Sequence, residues 1–159
     1  MIKTRYLLLL LLLFAICLPV FSGNKISYYS KELERKDLPD SKRLEYYKIL
    51  FDEYVKLEDD TGLEYGKMLL DLANSNSLKI DEEFEFKYGK SLIVFGYYND
   101  GLKYTNYLHK KYKSKSDYSK MLKAKNLTAL LYYKKGYISK STLLYKENIS
   151  TALKLEFYD

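Results

Sequence analysis

The stretch Lys125–Tyr145, KNLTALLYYKKGYISKSTLLY, decides how the chain is read. It reads as two short helices bent back on each other at Lys134-Lys135-Gly136-Tyr137. Ala129 and Ser141 are small where such a pair must approach closely, and Tyr132 and Tyr145 are large where it must fill space. Forty residues upstream, Tyr88–Tyr107 repeats the plan. Gly89 stands for Ala129, Leu92 for Tyr132, Gly96-Tyr97 for Gly136-Tyr137 and Gly101 for Ser141. A weaker third copy ends at Gly62-Leu63-Glu64-Tyr65-Gly66, with Gly62 standing 39 residues before Gly101. Self-similarity at a fixed period of this size marks a stacked helical repeat.

Around these copies the remaining elements can be placed. Residues 23–40 form a polar, charged lead-in with room for one short helix around Tyr28 to Arg35, broken by Asp37-Leu38-Pro39-Asp40, because proline cannot continue a helix and biases the residue before it to an extended form. Asp40 or Ser41 then caps a helix whose apolar face is Leu44, Tyr47, Leu50, Phe51 and Tyr54. Thr61 with Glu64 three residues later forms a capping box for the next helix, which runs through Tyr65, Met68, Leu69 and Leu72. Asp81-Glu82-Glu83 puts three carboxylates on the positive end of a third helix that stops at Gly96. Asn99 or Asp100, Ser116 or Asp117, and Ser139 start the remaining three. No alternating run of strand length occurs. The fold class is all-α, with antiparallel helix hairpins stacked as a short α-solenoid over residues 41–159.

Residues 1–22 stand apart. Lys3 and Arg5 precede an apolar run from Leu7 to Leu18, and Pro19-Val20-Phe21-Ser22-Gly23 offers Val20 and Ser22 at cleavage-compatible places. This is the pattern of a secretory signal peptide cut after Ser22. An uncleaved anchor is the rival reading, but Tyr6–Phe21 gives only 16 largely apolar residues, short of the roughly 20 that a spanning helix needs. Either way the basic start keeps that end cytoplasmic and sends the remainder outward. The expected location is therefore periplasmic or cell-envelope, or secreted if the source is eukaryotic. Cys17, the one cysteine, lies in this segment, so a processed chain has neither a disulfide nor a thiolate metal site, and its stability must come from helix packing. The 19 tyrosines and seven phenylalanines supply packing surface, many with a polar tip.

Charge is distributed unevenly. From Gly23 to Asp100 there are 12 basic and 17 acidic residues; from Gly101 to Asp159 there are 13 basic and four acidic. The densest run is His109-Lys110-Lys111-Tyr112-Lys113-Ser114-Lys115. Lys110, Lys111, Lys113 and Lys115 with interleaved tyrosine suit an acidic partner, an anionic lipid surface or a nucleic-acid backbone. A solvated turn between two helices of a lysine-rich protein is the plainer explanation of the run, and no nucleic-acid motif accompanies it. No nucleic-acid partner is expected of an exported chain, and membrane contact is expected only through an uncleaved leader or a part beyond Asp159.

Catalysis finds little support. His109 is the single histidine, which removes any multi-histidine metal site or histidine-dependent relay beyond it. Beside four lysines it reads as an exposed turn residue. Glu58-Asp59-Asp60 and Asp81-Glu82-Glu83-Glu85 sit at helix starts, where the helix dipole already accounts for them, and neither has EF-hand spacing. Asn126-Leu127-Thr128 and Asn148-Ile149-Ser150 match the glycosylation sequon, but both lie inside expected helices, which makes chance the better explanation unless the source is eukaryotic. No enzyme activity, cofactor or metal is expected.

The small-large-Gly-small-large order of the copies resembles the tetratricopeptide repeat (TPR), enlarged by five or six residues beyond its usual period of about 34. The chain departs from that pattern at Asn148, where an alanine is usual, and no proline closes a repeat. The resemblance implies a binding scaffold, with a groove formed by the first helix of each pair receiving a peptide or an extended partner segment. Its groove positions fall on Phe86, Lys90 and Ile93 and on Asn126, Leu130 and Tyr133. The same residue types also serve to pack helices together. A leader followed by such repeats is similar to the exported sensor regions of bacterial membrane-anchored signalling proteins. The last helix keeps Leu143, Leu144, Ile149, Leu153 and Leu155 where an end cap would be polar, as in a fragment of a longer array or a short protein that self-associates through this end. The alternatives to a scaffold are a Lys/Tyr-rich nucleic-acid or anionic-surface binder, an enzyme using the acidic clusters, and a fragment without function.

Overall fold

Five helix ends in this protein are built the same way. In the computed structural model, which describes residues 24–156, one residue in the left-handed region closes each: Glu58 at φ 57°, Ser77 at 53°, Gly96 at 86°, Ser116 at 57° and Gly136 at 82°. The next amide reaches back to a carbonyl of the last helical turn. These bonds are Asp59 N to Tyr54 O, Leu78 N to Ala73 O, Tyr97 N to Leu92 O, Asp117 N to Tyr112 O and Tyr137 N to Tyr132 O, at 2.8–3.0 Å. This arrangement satisfies carbonyls that a helix end leaves open and reverses the chain over a few residues. Recurring every 19 or 20 residues, it is the backbone form of the sequence period.

Between these ends run α1 (residues 24–33), α2 (Asp40–Lys56), α3 (Gly62–Ser75), α4 (Glu82–Val94), α5 (Tyr98–Ser114), α6 (Tyr118–Lys134) and α7 (Ile138–Glu156). No strand occurs among the described residues. The fold is all-α among the described residues, and α2 packs on α3, α4 on α5, α5 on α6 and α6 on α7. The proposed leader, Cys17 and Phe157-Tyr158-Asp159 lie outside the described residues.

The chain divides after Lys79 into two compact units. In the first, α1 runs antiparallel to α2. Lys25 pairs with Glu53 at 3.5 Å, Tyr29 packs on Tyr46, and Arg43 donates to the carbonyls of Leu33, Arg35 and Leu38. Most of the stretch read as a lead-in is thus a packed helix, and Leu38 before the proline is buried. α2 and α3 form a hairpin closed at Gly62, where an added Cβ would lie 3.1 Å from both Phe51 O and Tyr54 Cβ. Tyr65 stacks on Tyr54, and Asn76 donates to Asp40 at 2.7 Å at the hairpin's open end.

Three expectations fail in this unit. Thr61 is itself helical in conformation and makes no side-chain cap; its amide donates to Asp59 Oδ1 at 2.9 Å, so the capping box with Glu64 does not form. α2 takes Pro39 as its N-cap, whose carbonyl accepts from Lys42 and Arg43, with neither Asp40 nor Ser41 in that role. Met68 is exposed, because the buried stripe of α3 is Leu63, Gly66, Leu69 and Ala73.

The second unit stacks two hairpins, α4–α5 and α6–α7, with α6 also against both α4 and α5. Asp81 caps α4 by accepting from Glu83 N, and Asp117 caps α6 by accepting from Lys120 N. In the α6–α7 hairpin Ala129 is fully buried, and Ser141 Oγ donates to its carbonyl at 2.8 Å. In the α4–α5 hairpin a Cβ on Gly89 would come within 3.1 Å of Tyr104, and one on Gly101 within 3.1 Å of Ile93. The small residues thus mark the crossings that the sequence assigned them. Phe86, Leu108, Tyr112, Met121 and Ala124 form a buried cluster shared by α4, α5 and α6.

Candidate binding face and basic cluster

α4 and α6 are the first helices of their hairpins and run side by side. Lys123 Nζ lies 4.4 Å from the Phe86 ring centre, and Leu127 Cδ1 is 3.4 Å from where a Gly89 Cβ would sit. Advancing together in number, these contacts show the two helices parallel. From that seam, Lys90 and Val94 continue one exposed row on α4, while Asn126, Leu130 and Tyr133 continue another on α6. Tyr133 is 55% exposed and Leu130 is half-buried. Asn126 is exposed yet held, its Oδ1 accepting from Asn148 Nδ2 of α7 at 2.8 Å, which leaves its own amide hydrogens free to donate outward.

Of the six residues assigned to a groove, Lys90, Asn126, Leu130 and Tyr133 therefore share one accessible face. Phe86 and Ile93 do not. Ile93 is fully buried against Gly101 of α5, and Phe86 stacks on Tyr112 inside the cluster, so both support the face from beneath. Spacing of four and three along α4 could not distinguish its outer side from its inner one, because α5 and α6 enclose that helix on two sides. Val94, 52% exposed, is the apolar residue on the α4 row that the sequence reading missed.

The basic run occupies the last turns of α5 and is not a turn between helices. Cations there complement the negative helix end, which is one reason the helix persists to Ser114. Lys110, Lys113 and Lys115 are exposed, but Lys111 turns inward. Its Nζ lies 2.6 and 2.7 Å from the two oxygens of Glu85, a carboxylate that is 1% exposed and also accepts from the Tyr112 hydroxyl at 2.9 Å. Burial, reinforced by the bond to Glu85, raises the Tyr112 hydroxyl well above its ordinary pKa. Lys115 and Lys120 sit over the face of the same ring at 5.8 and 5.6 Å. Lys111 thus holds α4 to α5, and Glu85 belongs to that cluster instead of an open acidic site.

Two further acidic residues of this stretch are also engaged. Glu82 pairs with Lys120 at 2.7 Å, and that bond lowers its pKa; Asp81 is the cap of α4. Asp59 is lowered by accepting from Thr61. His109 lies half-buried within α5 against α6, not in an exposed turn, with Nδ1 enclosed and without a hydrogen-bond partner. Burial lowers its pKa; nearby Lys125 and Lys113 act in the same direction, and a backbone hydrogen bond at Met121 opposes them.

On α7, Leu143, Ile149 and Leu153 are exposed as the sequence reading expected, while Leu144 and Leu155 are half-buried. Ile138 and Tyr145 join the exposed group. Comparison of the chain with protein-family models, with curated proteins and with solved structures gives no match in any of the three.

Proposed function

We propose that this protein is an exported, non-catalytic helical-repeat scaffold that binds a peptide or protein segment across the α4–α6 face. The reading joins the TPR resemblance and the leader pattern to one structural observation. Lys90, Val94, Asn126, Leu130 and Tyr133 stand on neighbouring parallel helices as an accessible strip of apolar surface with polar points. An extended segment laid along such a strip offers carbonyls to Lys90 and to the Asn126 amide and apolar side chains to Leu130 and Tyr133. A sensor role within a signalling assembly is consistent with this chemistry and is the wider form of the proposal.

The alternative, an anionic-surface or nucleic-acid binder, draws on Lys110, Lys113 and Lys115 alone, since Lys111 is committed to Glu85. Capture of partners from an envelope fraction, followed by titration against two variants, separates the readings. Tyr133→Ala should weaken binding by about 2 kcal/mol, as expected of an aromatic anchor. Replacement of Lys110, Lys113 and Lys115 by Gln should change mainly the association rate and its salt dependence. Loss of binding at every salt concentration in the lysine variant, with Tyr133→Ala unaffected, overturns the face in favour of the basic end of α5.

A further inference from the structure

α7 carries the strongest unassigned surface. Ile138, Leu143, Tyr145, Ile149 and Leu153 are 37–61% exposed on this one helix. The hairpin period shows what kind of surface it is. α5 and α7 begin forty residues apart, each after a left-handed glycine. On α5, Tyr98 donates to the Lys134 carbonyl, Thr105 accepts from Thr128, and His109 lies beside Met121 and Lys125, so these three positions face α6. Their equivalents on α7 are Ile138, Tyr145 and Ile149, which are exposed and more apolar. Where α5 is covered by an antiparallel helix, α7 offers the same register uncovered.

The charges beside this seam narrow the occupant. A shallow recess next to it is lined by Lys146, Ile149, Ser150, Leu153 and Lys154, with no carboxylate in the lining. The chain from Gly101 onward has 13 basic residues against four acidic. An occupant helix therefore gains from carboxylates beside its apolar row. A second copy of this chain fits poorly, because two such faces brought together would set Lys146 and Lys154 of one against the same lysines of the other. We propose that the outer face of α7 is a docking seam for an amphipathic helix of another protein, with apolar residues at three- and four-residue spacing flanked by glutamate or aspartate. The proposal rests on the α7 row and its flanking lysines and does not require the α4–α6 strip to bind a segment.

The test titrates the full chain with two synthetic helical peptides of about 18 residues that share a leucine row and differ only in glutamate or lysine flanks. The glutamate peptide should bind at least about tenfold more tightly at low salt, where steering and complementarity are strongest. Ile149→Gln with Leu153→Gln should abolish that binding while Met68→Gln, at an exposed position on α3, leaves it unchanged. Lys146→Glu with Lys154→Glu should invert the preference between peptides. Equal binding of the two peptides, or binding of neither, overturns the proposal. So does sedimentation showing a dimer that Ile149→Gln dissociates, which would make a second copy the occupant. Selective binding to phosphatidylserine vesicles lost in the same variant, without peptide binding, would replace the helix with a lipid surface.

Discussion

Ser141 donates to the Ala129 carbonyl from a position 2% exposed, so both residues are fixed by a crossing that has no spare room. Ala129→Leu should force the helices apart and lower stability by about 1–3 kcal/mol in denaturant titration. Ser141→Ala should lose the weaker contribution of one buried hydrogen bond, about 1 kcal/mol. Unchanged stability in the leucine variant would contradict the crossing. These residues were legible because the repeat places small side chains at the same step in both copies. His109 was not legible: a lysine run resembles a solvated turn, and only the tertiary arrangement lays this side of α5 against α6. Its pKa is depressed below the ordinary 6.5 by burial. The unfolded chain therefore takes up the proton first as pH falls. Stability should be full above that value, decline as pH drops towards the folded-state pKa, and level off below it. His109→Gln should flatten this decline in denaturation curves collected across the window, and an unchanged slope would show that other groups cause it.

At the scale of the element, the helix ends carry the period more faithfully than the side chains do. Only Gly96 and Gly136 announce a left-handed residue, since glycine alone adopts it without strain. Glu58, Ser77 and Ser116 take up the same conformation in the other three ends and leave no sign in the sequence. Gly136→Ala should cost about 1–2 kcal/mol from backbone strain, since nothing lies within 4 Å of the added Cβ. Ser116→Gly should give no loss, or a small gain, in the same assay. The reverse order would mean that these ends are not set by backbone conformation. Caps show the same unevenness. Asp81 and Asp117 behave as their spacing predicts, whereas Asp59 takes the Thr61 amide before the capping box can form. Between elements, Lys111→Met should destabilise the α4–α5 pair by about 3 kcal/mol, because it strands the buried Glu85 carboxylate. Adding Glu85→Leu should recover most of that loss in a double-mutant cycle; failure to recover it would indicate that the pair contributes net stability.

For the molecule as a whole, the all-helical class, the hairpins and the uneven charge were readable from the sequence, whereas the allocation of α4 between core and surface was not. A helix flanked by two others buries residues on more than one stripe, so Phe86 and Ile93 went inward while Lys90 and Val94 stayed out. The binding account rests on the strip that remains. The abundance of tyrosine provides a direct readout, because Tyr133, Tyr107 and Tyr118 are 55%, 48% and 49% exposed. Tyr107 and Tyr118 bracket the basic end of α5, while Tyr133 lies on the α4–α6 face. The most direct measurement is hydroxyl-radical footprinting of these tyrosines in the free protein and in its captured complex. The account predicts loss of Tyr133 reactivity on binding with Tyr107 and Tyr118 unchanged. Protection of Tyr107 and Tyr118 with Tyr133 still fully reactive would contradict it.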